Sequence, residues 1–574
     1  MYKNVKETVS IVKTKVISLV MAVANQVINE LGFVETINEN AGKWDEEHWG
    51  LSPGQLAKAL LLTTFTDMRS PLTHLQDRLA GLDLEYLIGR EAITNSINAF
   101  NVGRALERIG DGNCNKSYEQ MAMIALQKYE IPTKRINSDT TSLSFSGEFD
   151  IEKMNLTETE KEAVLRIEEG YNKDGRPGDA QVIVGQMVNE NGIALTYSTL
   201  DGGTSDVEWN KIALDYFDEL RTNGFTDSIY VADCKVVTED LVRRMNSETG
   251  RIRFVSRCPA NFNERLEHRM IAKAYETGNW EELGKLTDKE TASSYRAASF
   301  TEDVYDSPMR LVVLESTSLI AKAEASLAKA NGKVKPIVVA LEKKKFACQA
   351  DAEEEYARFS GLKELKLFRH QRDILENITE KWPPGRRGKQ TKPTIIKSYQ
   401  VRITLMEFDE EQRREHYQRE STLVLISNIL PEEMTDKELL ENYKGQHVVE
   451  TSFRHLKQPC VASVIYLNNP KRIEALTMLL HFSLLVRAII QFRMREGLKK
   501  HNEENPCVPI YAGWNGRPLK NPTFKLLYEH SINCRYERKT GEKEYTFDWP
   551  FVETKAVVVP LLKLMGLTIS TILL

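Results

Sequence analysis

Four polar residues, Tyr443, Gln446, Glu450 and Lys457, are spaced three, four and seven apart in the segment ENYKGQHVVETSFRHLK. At 3.6 residues per turn, offsets of three, seven and fourteen return to one stripe, so a helix here places a phenol, an amide, an acid and a base on one face. Arg454, four residues after Glu450, joins them. A carboxylate in that company suits a divalent cation, while its neighbours suit an anionic, phosphate-bearing ligand. An ordinary solvated helical face, with Glu450 and Arg454 as an i,i+4 pair, accounts equally well for the stripe taken alone.

Two upstream aspartates give the glutamate possible company, and each stands at the end of an expected element. Asp139 lies in Arg135–Phe145 (RINSDTTSLSF), where Leu143 and Phe145 share its alternate face, as in a half-buried strand. Asp233 follows the short apolar run Ser228–Ala232. Between them the chain predicts strands over 180–188 and 193–200 joined by the turn Asn189-Glu-Asn-Gly192, then a helix over 205–220. A helix over 238–245 and a strand over 251–257 follow. That order is the order of an RNase H-like domain, whose closing helix is supplied from further along the chain.

In such a fold the first and fourth strands are neighbours. Asp139, Asp233 and Glu450 are then the expected catalytic and metal-binding residues, converging on two divalent ions about 3.5–4 Å apart that clamp the attacking and leaving oxygens at phosphorus. The separations, 233 − 139 = 94 and 450 − 233 = 217, leave room for an insertion in the second interval. With 82 acidic residues in the chain, three of them identify a site through position, not through number. Each has a structural reading too: Asp139 as a turn former, Asp233 as the cap of the next segment.

The expected organisation is α/β. An all-α N-terminal domain (1–130) for DNA binding or dimerisation precedes an RNase H-like catalytic domain, a mixed sheet flanked by helices, in two parts (131–258 and 421–500). An α+β insertion domain (259–420) interrupts it, and a small domain (501–574) closes the chain. Ser52-Pro53 and Ser70-Pro71 each pair a capping residue with a proline at the first helical position. The insertion carries expected strands over 311–315 and 399–405 and a charged helical run over 319–359, broken near Gly332. Thr422–Ser427 reads as a strand, and Thr435-x-x-Glu438 as a capping box opening the helix that carries Tyr443.

The 574 residues, 41% hydrophobic and 28% charged, describe a globular chain of several domains. Seven scattered cysteines with no C-x-x-C pair support neither a disulfide framework nor a zinc site. No signal-type core is evident at the N-terminus. The apolar run 475–490, containing His481 and Arg487, reads as a buried helix, and Pro560 and Lys563 interrupt the apolar tail, so a cytoplasmic location is expected. The net charge of −5 requires any DNA contact to come from local patches. Lys381–Lys397 is the clearest, six basic residues and no acidic one, with Trp382, Arg386, Arg387, Lys389 and Lys392 as candidate DNA contacts; a solvated loop is the plainer reading.

From about 30 to 490 the chain resembles bacterial insertion-sequence transposases of the DDE class, in the long, IS4-like group marked by Tyr-x2-Arg-x3-Glu-x6-Lys. The resemblance rests on SDTT around Asp139, VADCK around Asp233, RIRFVSRCP beyond it, the run LVLISNILPEEMTDKELLENYKGQHVVETSFRHLK, and FNVGRALERIG. It implies Mg2+-dependent cleavage at element ends and strand transfer into target DNA by a dimer, nucleoid-associated when bound, with Mn2+ as a substitute metal. It also implies that Tyr443, Gln446, Arg454 and Lys457 hold the phosphate backbone. Two departures stand out. Gln446 replaces the signature arginine, losing its charge and bidentate fork. Thr422 stands where some relatives carry a base-stacking aromatic, leaving Trp382 and Tyr399 as substitutes. The alternatives are an inactive, transposase-derived DNA-binding protein and a general RNase H-like nuclease.

Overall fold

The computed structural model describes residues 14–45, 48–66, 75–89, 96–145, 164–248, 250–382, 392–457, 469–512, 516–539 and 541–573, with a few isolated positions besides. The chain forms two compact units, one built from residues 1–236 and 444–574, the other from 237–443.

The first unit opens with strand β1 (Thr14–Ser18) and helices α1 (Leu19–Glu30), α2 (Phe33–Asn40), α3 (Pro53–Leu62), α4 (Leu75–Leu79), α5 (Leu84–Ile88), α6 (Ala99–Gly110) and α7 (Cys114–Lys128). Ser52 and Gln55 form the capping box that starts α3, with Pro53 at the first helical position as its sequence suggests. Ser70-Pro71 lies outside the described residues. The chain then enters a sheet made of β2 (Arg135–Phe145), β3 (Glu168–Glu169), β4 (Ala180–Asn189), β5 (Ala194–Leu200) and β6 (Ile229–Val231), with α8 (Asp206–Thr222) between the last two. Strand β4 pairs antiparallel with β2, β3 and β5, while β6 joins β2 in parallel. This mixed sheet flanked by helices is consistent with an RNase H-like core.

The second unit contains α9 (Glu239–Met245), β7 (Phe254–Arg257), α10 (Leu266–Thr277), β8 (Glu281–Lys285), β9 (Ser294–Asp303), β10 (Pro308–Ser316), α11 (Thr317–Glu342), α12 (Gln349–Ser360), α13 (Lys363–Lys366), β11 (Phe368–Lys381), β12 (Thr394–Phe408), α14 (Glu410–Ser421), β13 (Thr422–Ser427) and α15 (Asp436–Lys444). Strands β7, β13, β10, β9 and β8 follow one another in an antiparallel sheet, and β11 with β12 forms a separate two-stranded ribbon. Helix α11 runs unbroken through Gly332 and Pro336, contrary to the expected break. Val334, Val338 and Leu341 bury one face of it in a cluster with Val401 and Ile403 of β12, and that packing outweighs weak local propensity.

The chain returns to the first unit through α16 (His447–Leu456), α17 (Pro470–Glu504), α18 (Phe524–Ser531), β14 (Arg535–Lys539), β15 (Thr546–Asp548) and α19 (Val552–Leu564). Helix α17 is long and apolar enough to cross a membrane, yet 78% of its apolar window is buried within the chain. Its Leu479, Phe482, Leu485, Ile489 and Ile490 are core residues. Each such burial contributes roughly 1.5–3 kcal/mol. Helix α19 continues through Pro560 and packs Val557, Val558 and Leu561 inward.

Candidate active site

Strand β2 is rich in Ser and Thr because its hydroxyls serve neighbours. Ser138 Oγ accepts from the Trp209 indole of α8 at 2.9 Å, and Ser142 and Ser144 hold the segment that precedes β4. The register against β6 runs Arg135↔Ile229, Ile136↔Tyr230, Asn137↔Val231. Carried two residues past the paired stretch, that register sets Asp139, the fifth residue of β2, against Asp233, which stands two residues beyond the carboxyl end of β6. Each carboxylate also accepts a local backbone N–H, Asp139 from Thr140 at 2.7 Å and Asp233 from Lys235 at 3.1 Å.

Both acids are held above the usual carboxylate range. Burial pushes the Asp139 carboxyl up to about 6, Lys173 and the Thr140 amide pull the other way, and Asp233 and Asp206 add repulsion. Burial likewise raises Asp233, with Asp206 adding to it against the Lys235 amide and the charges of Lys173 and Lys235. The two charges therefore sit where they are costly without a cation.

Asp206 is the first residue of α8, whose start is set by Ser205 Oγ capping the Glu208 N–H at 3.3 Å. Trp209, one turn on, lies flat against Gly185 of β4, where any side chain would enter its ring. That glycine lets the helix approach the sheet closely. Thr140 Oγ1 donates to Asp206 Oδ1 at 2.5 Å, and Lys173 Nζ donates to the same oxygen at 2.9 Å. Burial raises the Asp206 carboxyl, but these two bonds and the charges of Lys173 and Lys235 outweigh it and hold it low. Lys173 Nζ also lies 3.9 Å from Asp139 Oδ1.

The Tyr-Gln-Glu-Lys stripe does not lie on one continuous helix. Helix α15 carries Tyr443 and ends at Lys444, and α16 begins at His447 with Gln446 at its cap. The Arg135 guanidinium lies against Gly445, filling the space a side chain would take. Tyr443 thus belongs to one helix, and Glu450 and Arg454 to the next. Helix α16 buries Val449, Phe453 and Leu456 and packs on β2 and β4, leaving Glu450 and Arg454 exposed. Lys457 caps its C-terminus and binds Asp174 at 2.6 Å. The structure therefore associates Asp139 with Asp233 and adds Asp206. Among the described residues, no three His, Cys, Asp or Glu side chains stand close enough together to hold a metal ion.

Of the basic patch, Arg386, Arg387 and Lys389 lie outside the described residues. Trp382 follows β11, half-buried, and Lys392 precedes β12, exposed. Tyr399 is a ribbon residue packed beside the Val401 cluster, its backbone paired with Phe346. Thr422 donates its hydroxyl to the Gln418 carbonyl.

Sequence reading missed Lys173, Asp174, Thr140 and Asp206. Thr140 was adjacent to a candidate, and Ser205-x-x-Glu208 marked the helix start that presents Asp206. Nothing in YNKDGRPG distinguishes Lys173 and Asp174 from ordinary turn residues.

Residues 12–123 match the model of a domain of unknown function, DUF4277. No curated protein matches the chain. Among solved structures, the chain is distantly similar to one described as a cryo-EM structure of piggyBac transposase synaptic complex with hairpin DNA. The identity is 10% and the TM-score 0.35, over 82% of this chain and 74% of that one. A likeness that distant carries no argument about function.

Proposed function

We propose that the chain is a DNA transposase that cleaves at element ends and joins the freed strands to target DNA. The observation that supports this reading is the parallel pairing of β2 with β6, whose register extended by two residues brings Asp139 of β2 toward Asp233 just past β6, with both carboxyls raised. Two half-buried acids that repel one another fit a divalent cation, because bound metal would remove the cost of their charge. Asp139 and Asp233 would hold Mg2+, or Mn2+ in its place; Glu450, the third carboxylate that the resemblance implies, is exposed on α16 and is not gathered with them. A bound metal would supply Lewis acidity toward water or a 3'-hydroxyl and offset charge at phosphorus.

The remaining roles belong to the chain itself. Thr140 and Lys235 orient the two aspartates through their backbone N–H groups. Trp209 and Gly185 hold α8, and so Asp206, against the sheet. Lys457, Arg454, Gln446 and Tyr443 position the phosphate backbone, with the basic patch around Trp382 and Lys392 as a further DNA contact. A homodimer would bring two element ends together.

Mg2+-dependent cutting of duplexes that carry the element's terminal repeats tests this reading. Asp139→Asn is expected to abolish cutting while leaving duplex binding within about twofold of wild type, since it removes a metal ligand and no phosphate contact. A wild-type protein that binds the repeats without ever cutting them would instead be an inactive, transposase-derived binder. Cutting without regard to end sequence and without strand joining would make it a general nuclease.

A further inference from the structure

The aspartate cluster has an internal cation. Lys173 Nζ donates to Asp206 Oδ1 (2.9 Å), Thr140 Oγ1 (2.5 Å) and the Thr140 carbonyl (3.2 Å), which uses all three of its protons. It also stands 3.9 Å from Asp139 Oδ1. A divalent ion on Asp139 would meet this ammonium at a few ångströms, where like charges repel strongly in a partly buried site. The two cations compete for the same oxygens.

The segment bearing Lys173 belongs to no strand or helix and is held to its neighbours by side-chain hydrogen bonds. Besides the two bonds of the Lys173 ammonium to Thr140, it is tied to β2 by Asn172 Nδ2 to Ser144 Oγ at 2.9 Å and Lys173 N to Ser142 Oγ at 3.2 Å. Gly175 and Gly178 beyond it adopt φ of +68° and +87°. The next residue, Asp174, holds Lys457 at 2.6 Å, and Lys457 is the residue proposed to hold the DNA backbone.

We propose that Tyr171–Gly175 is a latch. Lys173 acts as the internal counter-ion of Asp139 and Asp206 and yields its place to the divalent metal, while Asp174 occupies Lys457 and yields it to a DNA phosphate. The inference rests on the metal-dependent reading of the site and deepens it. The latch keeps the site closed until metal and DNA are both present, and it links the two binding events through adjacent residues.

The test is Mn2+ binding to the full chain, stripped with EDTA and free of DNA, followed by electron paramagnetic resonance. Lys173→Met is expected to bind Mn2+ about five- to tenfold more tightly than wild type, and Lys173→Arg to stay near wild type. Unchanged or weaker binding by Lys173→Met overturns the latch. Should Lys173→Met fail to fold by circular dichroism, Asp174→Asn decides. It unties the other end without touching the aspartates, and about twofold tighter binding is expected, with no change overturning the proposal. Asp139→Asn separates the two readings: if it binds Mn2+ as wild type does, the metal site itself is wrong, whatever the Lys173 variants do.

Discussion

Two groups of acids, buried in one unit and half-buried in the other, are handled in opposite ways. In the second unit Asp436 is matched by Arg310, 2.6 Å away, with both side chains at most 6% exposed. Arg310 is completed by the Met434 carbonyl and Ser299 Oγ. Glu315, 1% exposed, is likewise matched by Arg296 and by the hydroxyl of Tyr275. In the first unit Asp139, Asp206 and Asp233 share the influence of Lys173, and burial still raises two of the three. Matched pairs of the first kind lock strands and helices together. A surplus of negative charge without a matched partner costs folding free energy, and such sites cluster where function needs them.

Three stability measurements would break or sharpen that contrast. The largest effect is expected for Arg310→Met, which leaves Asp436 buried and unmatched and should cost about 3–5 kcal/mol in urea denaturation. A loss below about 1 kcal/mol would show that the pair is not a lock.

Glu119 of α7 extends the comparison to an acid in the first unit away from the aspartates. Burial and repulsion from Glu219 push its carboxyl up to about 7, against a hydrogen bond from Thr196. The folded state therefore holds the proton more tightly than the unfolded state, so stability falls as pH rises from about 4.5 through 7. Glu119→Gln keeps the acceptor for Thr196 and removes the titration. It should be about 2 kcal/mol more stable than wild type at pH 8 and close to equal at pH 5. A constant difference between the two pH values would remove Glu119 as the cause.

The smallest effect belongs to the candidate site. Asp139→Asn removes one of the repelling charges and should stabilise the EDTA-treated protein by about 1 kcal/mol at neutral pH, read as a rise in Tm. Destabilisation would mean that Asp139 is a structural partner like Asp436.

Much of the sheet was legible because its signals are local. Strand β2 spans the expected Arg135–Phe145, and β13 the expected Thr422–Ser427. The box of Thr435 and Glu438 forms with the anticipated reciprocal bonds, 2.9 Å and 3.3 Å. The split of the tetrad helix was not legible. A glycine inside a helical pattern costs only about 1 kcal/mol, so Gly445 did not announce a break. The guanidinium of Arg135, which fills the space beside that glycine, arrives from a strand about three hundred residues earlier. Lys173 was hidden for the same reason, since its partners Thr140 and Asp206 lie on two other elements.

The residues alone determined most of the strands and helices and placed Asp139 on a strand and Asp233 just after one, because alternation, caps and turns act within a few positions of one another. Folding in three dimensions decided which charges meet. The β2–β6 register brought Asp139 to Asp233, a bare glycine admitted Trp209 and with it Asp206, and a turn delivered the ammonium of Lys173 among them. Coulomb interactions depend on distance through space, and no spacing along the chain encodes that distance.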